Sequence, residues 1–260
     1  MAAIFRQAPL LEGKQMLRIA GIFLIVLVST SALASKTNVA VAANFTDAAK
    51  EIAIEFANKT GHEAVLSFGT SGQLFTQITQ DAPFQVFLSA DSERPRKLVD
   101  QGLAATESRF TYAVGKLVLW SKLPQLDIGV DTLKTSAFST LSIANPATAP
   151  YGAAAVETMK ALGVYEALRA KIVQGNSIAQ AFQFIDTRNA ELGFVALSQV
   201  AGNTSGSRWL VPNELYTPIR QDAVLLRKGE SNDAATSFVA FLKGPEARAI
   251  IEKFGYAVDN

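Results

Sequence analysis

The sequence predicts an α/β protein of two lobes, each a mainly parallel sheet flanked by helices, joined by two crossings of the chain. Three observations carry this. Short apolar, β-prone stretches alternate with amphipathic helical stretches from about residue 39 onward. Two extended runs, Tyr112–Trp120 and Thr217–Arg227, exceed a typical strand and bracket a second round of the same alternation. Two more helical stretches, about Asp233 to Leu242 and Pro245 to Phe254, follow the second run. One run leaving and one returning make the first lobe discontinuous. It takes residues 36–113 with 225–260, and the second lobe takes 114–224.

The elements follow in order. Val39–Ala42 reads as a strand. Asp47 to Lys59 reads as a helix, because Ala48, Ala49, Ile52, Ala53 and Phe56 recur at helical spacing. Thr46 or Asp47 can cap its start, and Gly61 ends it. Ala64–Leu66 is the next strand and Gly72 to Thr79 the next helix, with Leu74, Phe75 and Ile78 on one side. Phe84–Leu88 and Ser92 to Gln101 complete a third pair. Beyond the first long run, Leu141–Ala144, Lys171–Val173 and Leu192–Leu197 read as strands, with helices from Gly152 to Leu162 and Ser177 to Thr187 between them.

Residues 1–34 read as an export leader, with translation starting at Met16 and the earlier residues an upstream extension. Arg18 supplies a basic n-region, Ile19 to Val28 an apolar core, and Ala32-Leu33-Ala34 a small-x-small cleavage signal. The apolar part falls short of the roughly 20 residues that span a bilayer. Cleavage removes Arg6, Lys14, Arg18 and Glu12. Of 24 basic and 23 acidic residues, 21 and 22 then remain, so the mature chain is near neutral. No long basic run survives, which argues against nucleic acid and anionic membrane as partners. Cysteine is absent, so the exported fold has no disulfide and no thiolate chemistry. His62 is the only histidine. Its place after Gly61 reads as a solvated residue at a helix end, and a His-rich zinc site is excluded.

Four short loops contain no charged residue: AANFT (42–46), FGTSG (68–72), NPATAPYG (145–152) and GNSIA (175–179). Each follows an expected strand and opens an expected helix. Ligands of open α/β sheets sit outside the carboxyl ends of strands, where helix N-termini present unpaired N–H groups and partial positive charge. Four such ends aimed at one spot make a site for a small oxyanion. Asn44 offers its amide and backbone N–H. Thr70 and Ser71 offer hydroxyls. Tyr151 and Ile178 offer chiefly backbone N–H groups. Small polar residues are also ordinary helix caps, so it is the agreement of four loops that points to a site.

The matching stretches VAVAANFTDAAKEIAIEF, SFGTSGQLFTQI, APFQVFLSAD, RFTYAVGKLVLW, NPATAPYG, GNSIAQAF, LGFVALSQ and LKGPEA run through both lobes in order. Through them the whole mature chain resembles the periplasmic molybdate-binding proteins of ABC transporters, which are type II solute-binding proteins. The resemblance implies a type II periplasmic-binding-protein-like fold and an oxyanion, molybdate or tungstate, held between lobes by residues matching Asn44, Ser71, Tyr151 and Ile178. Ala43 and Thr70 flank that set. It also implies no cofactor, no catalysis, and a monomer that delivers its ion to a membrane permease. Many members carry Ser in place of Asn44 and a Tyr in place of Ala196, and some carry Thr in place of Ala43. The donor count is therefore this chain's own.

Two rival readings stay open. Sulfate has the same charge as molybdate, and cavity size is not written in the sequence. An exported hydrolase using Asp47, Asp91, Asp186 or Glu191 is the other, although these carboxylates are scattered and no G-x-S-x-G elbow is present. Ferric iron is disfavoured, because Tyr112, Tyr151, Tyr165, Tyr216 and Tyr256 are dispersed along the chain.

Overall fold

A computed structural model describes residues 34–124, 127–203 and 205–258. The expected leader, with its start at Met16, lies outside the described residues apart from its last residue, Ala34. Among the described residues no helix is long and apolar enough to cross a membrane.

Strand β1 (Lys36–Ala42) turns through a short 3-10 segment, Ala43–Phe45, into α1 (Thr46–Thr60). Ala48, Ala49, Ile52 and Phe56 of α1 are buried, as the spacing predicted, while Ala53 of the expected stripe is only partly buried. The N–H of Gly61 closes the helix on the Ala57 carbonyl at 2.9 Å. β2 (Glu63–Gly69) leads to α2 (Ser71–Thr79), and β3 (Val86–Leu88) to α3 (Glu93–Asp100). β4 (Phe110–Gly115) and β5 (Leu117–Ser121) follow. Then come α4 (Val130–Thr135), β6 (Leu141–Ala144), α5 (Pro150–Ala161), α6 (Tyr165–Leu168), β7 (Ile172–Gly175) and α7 (Ile178–Asp186). β8 (Leu192–Ala196), α8 (Leu197–Val200), β9 (Ser207–Leu210), β10 (Ile219–Leu225), α9 (Asp233–Leu242) and α10 (Pro245–Lys253) finish the chain.

The strands form two five-stranded sheets, ordered β2-β1-β3-β10-β4 and β7-β6-β8-β5-β9. Each has three parallel strands at one side. Each receives one antiparallel strand that has come across from the other lobe: β10 beside β3 in the first, β5 beside β8 in the second. The first sheet packs α1, α9 and α10 around Phe45, Phe56 and Phe238. The second packs α5 and α7 around Leu141, Ile143, Met159 and Phe194. This is the two-lobe type II architecture.

The first long run crosses between the lobes as expected, and two other expectations change. The run Tyr112–Trp120 is two strands in different sheets, separated by Lys116 alone. Both halves are buried, so the apolar pattern runs on unbroken across the crossing. Sheet membership also moves the lobe boundaries. β4 reaches Gly115, and β10 lies wholly in the first sheet, with Ile219 opposite Gly115 and Ala223 opposite Leu88. The crossings thus fall at Lys116 and between Leu210 and Ile219, not at 113/114 and 224/225, because a buried β-prone run does not declare its partner. His62 is buried, 8% exposed, and its Nδ1 accepts from the backbone N–H of Ser35 at 3.3 Å.

Candidate functional site

The carboxyl ends of β1, β2, β6 and β7 all feed helix starts, and these converge between the two sheets. A small, tight cavity lies there. It is lined by all six residues singled out from the sequence: Ala43, Asn44, Thr70, Ser71, Tyr151 and Ile178. Ala42, Ala90, Ala149 and Pro150 complete the wall, and no lining residue is charged. These four offer no side-chain donor, so residue chemistry gave no signal for them.

The polar groups are oriented by the local fold. Thr70 caps α2: its Oγ1 accepts the Gln73 N–H at 3.1 Å, while the Gln73 side chain accepts the Thr70 N–H at 3.3 Å. Ser71, 1% exposed, accepts the Ala90 N–H on its Oγ at 2.8 Å. Each hydroxyl oxygen is thus held as an acceptor, and its proton remains for a ligand. Ser71 and Ile178 are the first residues of α2 and α7, and Tyr151 is the second of α5, after Pro150. Their N–H groups have no carbonyl within their own helix to donate to. A cavity of donors and helix starts without formal charge stabilises an anion through fixed dipoles.

The side chain of Asn44 is engaged on the far side. Its Nδ2 donates to Gln221 Oε1 at 2.9 Å and to the Tyr256 hydroxyl at 3.1 Å. Both amide protons are therefore used inside the protein, where the sequence reading had the amide serving a ligand. The Tyr151 side chain also turns away from the cavity, and its hydroxyl accepts from Gln221 Nε2 at 3.2 Å. Tyr112 donates to Ser89 O at 3.1 Å and to Gln221 Oε1 at 3.2 Å. Three tyrosines that are dispersed in sequence thus meet behind Asn44. Burial pushes the hydroxyls of Tyr112, Tyr151 and Tyr256 well up, so they stay protonated and serve as neutral hydrogen-bonding groups rather than phenolate ligands.

The lobes touch on both sides of the cavity. The Gly72 N–H donates to Thr148 O at 3.0 Å. Opposite, Ser198 Oγ donates to Asn44 O at 2.9 Å. Ala196 is fully buried at the end of β8 and does not line the cavity.

The scattered carboxylates have structural partners. Asp91 pairs with Arg94, Asp186 with Lys122 at 2.8 Å, and Glu191 Oε1 accepts the Ser139 N–H at 2.7 Å. Asp47 lies 3.7 Å from Lys50 on the surface of α1. Among the described residues no three His, Cys, Asp or Glu side chains gather in a metal-binding group.

Comparison with known proteins agrees with this geometry. Residues 37–257 match the family described as bacterial extracellular solute-binding protein. A protein of Rhodobacter capsulatus named molybdate-binding protein ModA is 56% identical over 229 residues, which cover 88% of this chain and 90% of that one. Its namesake in Azotobacter vinelandii is 54% identical over 236 residues, covering 89% and 94%. The solved structure of an Azotobacter vinelandii periplasmic molybdate-binding protein superposes with a TM-score of 0.83 at 41% identity, over 86% of this chain and 100% of that one. The chain belongs to the bacterial extracellular solute-binding proteins, in the family of the molybdate-binding proteins ModA.

Proposed function

We propose that this chain is a periplasmic receptor that captures molybdate, and also tungstate, in the cavity between its lobes and hands the ion to the permease of an ABC transporter. One observation carries the reading: the uncharged loops of both lobes meet on a single small cavity whose free groups are donors. Asn44, Ser71, Tyr151 and Ile178 are the ion's principal contacts, with Ala43 and Thr70 beside them. For Asn44, Tyr151 and Ile178 the contact is the backbone N–H; for Ser71 it is the hydroxyl as well. The names carried by its relatives support molybdate as the ligand. The protein acts as a monomer, by binding and release without covalent chemistry.

The site also selects. The oxygens of Thr70 and Ser71 already accept backbone N–H groups. A phosphate that retains a proton at neutral pH therefore meets donors where it needs an acceptor, whereas fully deprotonated molybdate, tungstate and sulfate do not. Thermal melts against these four ions test the reading. A ligand at about 1,000 times its Kd adds roughly 4 kcal/mol to native stability, which for a chain of this size raises Tm by roughly 10 °C. Molybdate and tungstate are expected to give that shift and phosphate none. Equal shifts from sulfate and molybdate would mark the site as a general dianion binder.

The interlobe bonds Gly72–Thr148 and Ser198–Asn44 belong to a closed arrangement. An ion that touches both lobes favours this state over an open one, and only that difference shifts the population. Small-angle scattering is expected to show compaction on adding molybdate, at unchanged mass. A profile that does not change at saturation would mean either that the lobes stay closed without ligand or that the site lies inside one lobe.

A further inference from the structure

We infer that Gln221 is a positioning residue for the anion site, a buried strut that fixes Asn44 of one lobe against Tyr151 of the other. The inference rests on the ligand reading above and names a residue that lies outside the cavity wall.

Gln221 is fully buried on β10, at a register shift in the ladder with β4. Gln221 stands opposite Ala113 and Asp222 opposite Thr111, so the pairing skips Tyr112. A bulge of this kind re-aims side chains. Asp222 is held on one side by Arg109 and by the Thr111 hydroxyl, the latter at 2.7 Å. The Gln221 amide goes the other way, under the site. Its Oε1 accepts from Asn44 and Tyr112, and its Nε2 donates to Tyr151. Asn44 and Tyr151 each border the cavity and each have their side chain fastened to this one amide. Gly115, opposite Ile219, leaves the room: a Cβ there would lie 2.0 Å from the Tyr151 hydroxyl and 2.6 Å from Gln221 Nε2. A second fastening holds Asn44 from the opposite direction, because the Tyr256 hydroxyl accepts from its amide and donates to its carbonyl at 2.7 Å.

The consequence is mechanical. The N–H groups offered by Asn44 and Tyr151 belong to backbone, and backbone at helix starts is aimed only as well as its anchors hold it. Buried polar networks of this kind fix geometry when every member is satisfied, and an unpartnered member is costly. Gln221→Leu keeps the approximate volume but removes all three hydrogen bonds. Tyr151→Phe removes only the hydroxyl, which faces Gln221 and not the cavity.

The test is a double-mutant cycle read by calorimetry with sodium molybdate, alongside melts of the ligand-free proteins. Gln221→Leu is expected to weaken molybdate about ten-fold or more, and Tyr151→Phe by several-fold. The double variant is expected to bind as Gln221→Leu does, because both changes cut the same connection. Gln221→Glu adds a second readout. Its carboxyl can replace both functions of the amide only when protonated, so its affinity should fall with rising pH while the wild type stays flat. Wild-type affinity in Tyr151→Phe, or losses that add in the double variant, would overturn the strut. Should Gln221→Leu not fold, Tyr151→Phe and Gln221→Glu decide alone. Failure of the wild-type chain to take molybdate is seen before any variant is compared, and would overturn the ligand reading instead.

Discussion

Gly152→Ala is expected to weaken molybdate binding on the order of a hundred-fold while leaving the fold intact. Gly152 is the third residue of α5 and follows Tyr151. A Cβ built on it would lie 2.2 Å from the carbonyl oxygen of Ala144 and 2.8 Å from its carbon. Those atoms are backbone at the end of β6, so no side chain can swing aside. A carbon–oxygen contact relaxes at roughly 3.3 Å, so the start of α5 must shift by about 1 Å. Overpacking of this kind costs about 1–3 kcal/mol, which a domain of this size survives. The ligand contact is less tolerant. Misplacing a positioned group by about 1 Å costs on the order of a hundred-fold. The Tyr151 N–H sits one residue from the clash, and the Pro150 ring beside it lines the cavity. Calorimetry with molybdate, with circular dichroism to verify the fold, measures both effects. Wild-type affinity in a folded Gly152→Ala protein would mean that the start of α5 does not touch the ion.

Much of the proposed site was legible because its chemistry is local. Each loop joins a strand to a helix over a few residues, and small polar residues before an apolar helical pattern declare a helix start. Thr70 with Gln73 is a capping box that can be read from four letters. Convergence of the four loops followed from one rule, that parallel strands place their carboxyl ends on one side. What was not legible is what arises between distant segments. Gln221 lies in a β-prone run and reads as an ordinary polar residue, and its three partners come from β4, the turn after β1, and α5. Tyr256 reaches Asn44 from beyond α10. The break at Lys116 is hidden because strands in two different cores carry the same apolar pattern. β9 escaped notice for the opposite reason: four half-exposed residues leave no periodic signal of useful length. His62 read as solvated because its partner, Ser35, lies 27 residues earlier.

Ser71→Ala is the second large effect, and it separates two roles of one oxygen. The hydroxyl accepts the Ala90 N–H at 2.8 Å and presents its proton to the cavity. Alanine removes both bonds. A hydrogen bond to a charged ligand is worth about 1.5–3 kcal/mol, so molybdate affinity should fall about ten- to a hundred-fold. The Ala90 N–H, buried at the cavity wall, is left without an acceptor at a cost of about 1–3 kcal/mol, a fall in Tm of roughly 2–12 °C in the ligand-free protein. Thr70→Ala supplies the contrast. It deletes the cap on the Gln73 N–H, worth about 1 kcal/mol, at a residue that flanks the principal contacts. It should therefore lower Tm more than it lowers affinity, whereas Ser71→Ala should lower both. Melts of the ligand-free variants and calorimetry of the same preparations give the two numbers independently. A Ser71→Ala protein that melts early yet binds molybdate as the wild type does would assign the hydroxyl to Ala90 alone and leave the ion to the backbone N–H groups.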